Sequence, residues 1–390
     1  MAKNGIKGGR IALDARGAIH YRGTGIGTYT YQLAVHLRKL VGEEISFFLP
    51  GQEYEDLDFT DSARCTRIQE NPRYCEEEFL PCWLKEQQAV LYHVPQNGIG
   101  LPLAAPCRTI VTIHDLIPYV YPESVGRGYR KEFLHDMPAI IGKSDGIIAV
   151  SNHTKRDILR FFKYPEDRIA VIHEAAEPIY ALTASETCKG VLRRQYGIDG
   201  AYLLYVGGFS RRKNLSGLLT AFARAQSEWH TPYLLVCPGR CGRETAALTE
   251  LATSLGIGER VVFPGFVPGN LLPYFYGGAS ALVYPSFYEG FGLPVLEAMA
   301  CGCPVLVADN SSLRETGGDA ACYFDAMDTD SMTRVLVETL NDPKLLRQMG
   351  QKGLAWSARF DWQKTAEATL AFYEKILALP SRSGFLEKKD

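Results

Sequence analysis

No stretch of this 390-residue chain approaches the unbroken apolar length needed to span a bilayer. The opening residues MAKNGIKGGRIALD also lack the apolar stretch of a signal peptide, so the chain is expected to stay in the cytosol. Charge of one sign is missing too. The 42 Lys and Arg against 44 Asp and Glu leave a net charge of −2, which argues against general affinity for nucleic acid. Basic residues gather near one end (Lys3, Lys7, Arg10, Arg16 and Arg22), and they read either as scattered solvated charge or as a surface for an anionic partner. Zinc-finger spacing is absent. The ten cysteines form only two close pairs, Cys237 with Cys241 and Cys301 with Cys303, and neither has a second Cys or His pair at a suitable distance. Cys237, Cys301, Cys303 and Cys322 lie in apolar stretches, as buried reduced thiols do, and no metal site is expected.

The length exceeds one ordinary core, and a hydrophobic share of 46% with 22% charged residues fits a soluble globular protein of two domains. Short apolar runs rich in Val, Ile, Leu and Tyr alternate with helical segments, the pattern of parallel sheets covered on both faces. Strands are expected over 10–14, 45–49, 90–94, 109–113, 146–150 and 169–173, then over 202–206, 234–237, 261–263, 281–284, 304–307 and 322–324. The segment 174–200 interrupts the alternation with Pro178 and a short helical stretch over 189–196, which sets the domains at 1–178 and 179–362. An amphipathic helix over 364–379, with Ala366, Leu370, Phe372, Tyr373 and Ile376 near one face, is a candidate to pack back on the first domain. The tail 380–390 reads as frayed. In such sheets a ligand lies beyond the carboxyl ends of the strands, so the loops there carry the argument.

The richest of these loops is 285–304, PSFYEGFGLPVLEAMACGCP, directly after the strand 281–284. Gly290 and Gly292 permit close backbone approach, and Pro294 suits the first turn of a helix running to about Ala300. Glu289 then stands before the helix and Glu297 about one turn inside it. Amides from Gly290 through Phe291 and Gly292 to Leu293, with the positive helix end, suit an anion or sugar hydroxyls, and the two carboxylates can accept bonds from sugar and ribose. The plainer reading is one capping and one solvated glutamate.

A second loop, YVGGFSRRKNL over 205–215, also leads from a strand into a helix, here over 215–225. Its glycines and cations, including Arg211, Arg212 and Lys213, are what a diphosphate requires, unless they only solubilise the loop. The first domain carries RGTGIGTYTY over 22–31, a weak pattern that is as often a turn as a phosphate loop. His114 and Asp115 end the strand 109–113. A lone histidine is usually structural, although one at a strand end can hydrogen-bond a sugar hydroxyl.

These motifs resemble retaining glycosyltransferase family 4, whose members have the GT-B architecture of two Rossmann-like domains facing across a cleft. The resemblance covers nearly the whole chain and rests most specifically on SFYEGFGLPVLEAMA over 286–300. It implies that Glu289 contacts the transferred sugar and Glu297 the nucleotide ribose. It also implies that Lys213 binds the diphosphate, and that Gly25, Ile26 and Gly27 belong to a loop meeting donor diphosphate and acceptor. His114 would then lie against the sugar. Many members carry an arginine where Gly208 stands, so Arg211 or Arg212 is expected to supply that charge. Gly239, Arg240, Phe266 and Val267 resemble loops that hold the base. Asp115 touches substrate or orients its turn, and Ser151 lies near the cleft or caps the next helix.

No pair of carboxylates flanks a bond as in a glycosidase. The reaction implied is transfer of a hexose from a nucleoside diphosphate to an acceptor hydroxyl with retention, the departing diphosphate taking the acceptor proton, without metal or cofactor. The lysine and histidine loops look most like those of bacterial mannosyltransferases of surface polysaccharide assembly. GDP-mannose is therefore the expected donor, with UDP-glucose or another UDP-sugar as alternative, and a saccharide or polyprenyl-diphosphate-linked saccharide is the expected acceptor. Arg127, Arg130 and Lys131 would rest on the inner membrane surface if the acceptor is lipid-linked. A sugar-nucleotide epimerase, a dinucleotide oxidoreductase and a silent sugar-binding protein are the competing classes. The oxidoreductase lacks a clear ribose-binding acid after its first glycine loop.

Overall fold

The computed structural model describes residues 9–50, 57–59, 65–68, 75–240 and 242–382, so Lys3, Lys7, Cys241 and the tail from 383 lie outside the described residues. The chain divides into two compact units, Met1–Glu174 with Asp361–Asp390, and Ala175–Phe360. The first holds β1 (Arg10–Asp14), β2 (Ile45–Pro50), β3 (Cys65–Ile68), β4 (Ala89–Val94), β5 (Arg108–Ile113), β6 (Gly146–Ala149) and β7 (Ile169–Val171). They pair in the order β3-β2-β1-β4-β5-β6-β7, every pair parallel. The second unit holds β8 (Tyr202–Leu204), β9 (Leu234–Val236), β10 (Val261–Val262), β11 (Ala281–Tyr284), β12 (Val305–Ala308) and β13 (Cys322–Phe324), in the parallel order β10-β9-β8-β11-β12-β13.

Twelve of these thirteen strands fall where apolar runs place them, because a parallel strand covered by helices on both faces cannot alternate. β6, β11 and β12 are buried at every residue. β3 has no counterpart among the expected strands: its sequence CTRI carries Thr66 and Arg67, and among the described residues it pairs with β2 alone, at the edge of the sheet.

In both sheets the chain reverses direction of growth after its third strand. β1 thus lies beside β4, and β8 beside β11. Loops leaving two such neighbours diverge to opposite faces and leave a crevice at the switch point. The GGFSRRKN and SFYEGFG loops leave β8 and β11.

The helix Trp362–Ala378 belongs to the first unit. Tyr373 Oη lies 2.6 Å from His93 Nδ1, and Thr365 donates to the His173 carbonyl at 2.8 Å. A Cβ on Gly146 would sit 2.7 Å from the Ile376 side chain, so β6 meets this helix at a position with room only for hydrogen. Gly146→Ala is expected to destabilise the protein by about 1–3 kcal/mol through overpacking, read as a lowered denaturation midpoint at unchanged slope.

Two expectations need correction. The tail is not frayed at its start, because Arg168 donates to the Pro380 carbonyl at 2.7 Å and Arg382 N–H to Asp145 at 3.0 Å. Nor is Arg16 a solvated charge. It forms a bidentate pair with fully buried Asp14 (Nε 3.0 Å, Nη2 2.7 Å), and Tyr92 donates to the same carboxylate at 3.0 Å. An aspartate at the buried end of β1 needs a counter-ion, and the arginine two residues on supplies it.

Candidate active site

The sheet of the second unit brings two distant loops together. After β8 the chain passes Gly207 and Gly208, whose carbonyl accepts from the Tyr205 phenol at 2.6 Å. It then makes a 3-10 turn, Arg211–Lys213, and enters the helix Leu215–Ala225 through Asn214 in the left-handed conformation. After β11 the loop 285–292 enters the helix Leu293–Ala300 through Gly292, at φ +107°. A Cβ there would meet Leu313 at 2.9 Å, so glycine is required on both counts.

Lys213 Nζ donates to Glu289 Oε1 at 2.7 Å and to the Tyr284 phenol at 2.7 Å. Arg212 Nη1 lies 3.0 Å from the same carboxylate oxygen and also donates to the Tyr288 carbonyl. The Phe287 amide donates to the Arg212 carbonyl at 2.8 Å, joining the two loops through backbone as well. All three charged side chains are largely buried. Burial alone would push the Glu289 carboxyl up, but Lys213 and Arg212 outweigh it and bring it down to about 2. Glu289 is therefore a carboxylate at neutral pH and can only accept. Arg212, rather than Arg211, supplies the second cation at this carboxylate.

Behind Glu289 stands a turn that sequence reasoning passed over. The Ser311 hydroxyl accepts from the Glu289 amide at 3.0 Å. Ser312 Oγ lies 2.9 Å from each of the Glu289 and Phe291 carbonyls, and Asn310 donates to the Ser286 carbonyl at 3.0 Å.

Glu297, half-buried one turn into its helix, accepts from the Tyr276 phenol at 2.7 Å. Burial and the neighbouring carboxylate hold Tyr276 well above the usual phenol range, so it stays a donor. The loops after β9 and β10 meet where Gly239 N–H donates to the Gly265 carbonyl at 3.0 Å. Phe266 is 59% exposed beneath the Arg240 guanidinium, which lies 5.5 Å from its ring centre, while Val267 is buried.

In the first unit, Gly25, Ile26 and Gly27 form the first turn of the helix Gly25–Val41 rather than an open loop. Thr24 caps that helix by accepting from Gly27 N–H at 3.3 Å. The Gly25 and Ile26 amides belong to the set a helix leaves without an internal acceptor. His114 is buried at the end of β5. Its Nε2 faces the Pro95 carbonyl at 2.9 Å and its Nδ1 faces Glu174 at 2.9 Å, so both nitrogens are engaged within the unit. Glu174, 60 residues away, carries no motif that would have announced it. Asp115 orients its own turn by accepting from Ile117 N–H at 3.0 Å. Ser151 caps the helix Asn152–Phe161, accepting from Thr154 N–H at 3.0 Å, and Asn152 is the first helical residue.

Cys237, Cys301 and Cys303 are buried and Cys322 half-buried, all as free thiols. Among the described residues no group of three or more His, Cys, Asp or Glu could hold a metal ion, and no helix is long and apolar enough to cross a membrane.

Residues 23–178 match the family described as Glycosyltransferase Family 4, and residues 190–356 match Glycosyl transferases group 1. The chain is 32% identical over 296 residues to O-antigen chain mannosyltransferase B of Escherichia coli, covering 75% of this chain and 76% of that one. It is 28% identical over 291 residues to the serotype-specific mannosyltransferase WbdA of Escherichia coli, 73% of this chain but only 36% of that longer protein. Among solved structures, Anabaena HepE in complex with UDP-glucose superposes with a TM-score of 0.73 at 17% identity, over 95% of this chain and 99% of HepE.

Proposed function

The chain belongs to glycosyltransferase family 4, and from that membership we propose that it transfers mannose from GDP-mannose to a saccharide hydroxyl, with retention, in polysaccharide biosynthesis. The observation that carries this reading is the junction of Lys213, Arg212 and Glu289 where the β8 and β11 loops meet. Two cations, each within 3.0 Å of one ionised carboxylate, suit a sugar diphosphate: the cations neutralise the departing phosphates, and Glu289 accepts from a sugar hydroxyl. In the reaction the bond from the anomeric carbon to the diphosphate oxygen breaks, and the acceptor oxygen bonds to that carbon. The acceptor proton passes to the diphosphate. Arg212 and Lys213 supply the charge that a metal would otherwise bring. Glu297 accepts from the ribose. Similarity to named mannosyltransferases supports the sugar and its biosynthetic setting.

The test is a set of nucleotide sugars screened for protection against thermal unfolding, followed by turnover with a saccharide acceptor. GDP-mannose should raise the melting temperature at lower concentration than UDP-glucose. Better protection by UDP-glucose would overturn the donor, and turnover without acceptor would favour an epimerase. Glu297→Ala is expected to raise the donor KM about ten-fold with kcat little changed, since it removes binding common to ground and transition states. Arg127, Arg130 and Lys131 are exposed on the helix Arg127–Lys143, and we extend the proposal to a polyprenyl-diphosphate-linked acceptor reached at an anionic membrane surface. Vesicle flotation without salt-sensitive binding would remove that extension.

A further inference from the structure

Ser311 is one of four described residues other than glycine with a positive φ, at +47°. An L-residue with a β-carbon is strained in this region, and such strain persists where surrounding structure holds it. What Ser311 gains there is specific. Its hydroxyl accepts from the Glu289 amide at 3.0 Å and donates to Asn310 Oδ1 at 3.0 Å. Its neighbours complete the hold. Asn310 takes the Ser286 carbonyl, and the Ser312 hydroxyl lies within bonding distance of the carbonyls of Glu289 and Phe291. Thr316 donates to the Phe291 carbonyl from one turn further on. The backbone on both sides of Glu289 is thus fixed by side chains from the turn after β12, while its carboxylate is fixed by Lys213 and Arg212 from the loop after β8.

We propose that Ser311 is a positioning residue for transfer, and that its left-handed backbone is kept because only there does its hydroxyl meet the Glu289 amide. This rests on reading Glu289 as the carboxylate that meets the transferred sugar. Ser311 touches no reacting atom and acts through where it places Glu289. A small displacement of such a group costs turnover more than ground-state binding.

Two substitutions separate positioning from stability. Ser311→Gly removes the hydroxyl and relieves the backbone strain, whereas Ser311→Ala removes the hydroxyl and keeps the strain. Both are expected to lower kcat about ten-fold with the donor KM within about two-fold of wild type. Only the alanine variant should melt lower, and the glycine variant should stay within roughly 2 °C of wild type. Turnover that follows stability instead, with Ser311→Gly as active as wild type, overturns the proposal. So does a loss confined to KM. A wild-type protein that turns over no nucleotide sugar would overturn the transferase reading, a result distinct from either of these.

Discussion

Lys213→Ala is expected to lower kcat/KM by about 10²–10³-fold, the effect of removing one preorganised donor from a site of developing negative charge. The ammonium is held by Glu289 and the Tyr284 phenol, both at 2.7 Å, on a largely buried side chain. On the proposed reading, that fixed ammonium meets the departing diphosphate without reorganising. The fold should survive the substitution, because Arg212 remains 3.0 Å from Glu289 and leaves no orphaned carboxylate. Lys213→Arg should not rescue turnover, since a planar fork cannot replace a point charge in this space. Steady-state kinetics with a saccharide acceptor measure both variants. An alanine variant within three-fold of wild type would remove Lys213 from the reaction.

The second large effect is expected at Glu289. Glu289→Ala should cut transfer by about 10²-fold or more while GDP binding is kept or tightened, because Lys213 and Arg212 lose their counter-ion and gain attraction for the diphosphate. Equal losses in GDP affinity and turnover would contradict a role at the sugar. Stability supplies a separate check through pH. The Glu289 carboxyl is brought down to about 2 in the folded protein, below its ordinary 4.5. A lowered carboxylate contributes stability above its unfolded value and loses it as pH falls through the folded one. Glu289→Gln should therefore cost most near neutrality, on the order of 3 kcal/mol, with the gap to wild type closing between about pH 4.5 and 2. A gap that stays constant on acidification would mean that the charge is not what stabilises the loop.

Much of this was legible in the sequence, and the reason is local. A parallel strand buried on both faces writes itself as an apolar run, and a loop that must approach a ligand closely writes itself in glycine. Glu289 and Lys213 were readable because each follows such a strand. Their 2.7 Å contact followed only from β8 pairing with β11, which no local pattern states. Ser311 and Glu174 were not readable. They serve Glu289 and His114 across 22 and 60 residues, and serines and glutamates in loops are ordinarily solvated. Arg16 was misjudged for another reason: its counting as surface charge ignored Asp14 at the buried end of β1, a partner two residues away.

The register of β8 against β11, with Leu203 opposite Ala281 and Leu204 opposite Leu282, works as a ruler for everything downstream. A slip of one residue would shift one loop against the other by about 3.3 Å, more than a hydrogen bond can stretch. Substitutions that loosen these two short strands should thus blunt the enzyme as surely as changes to its charged groups, although no reacting atom lies on either.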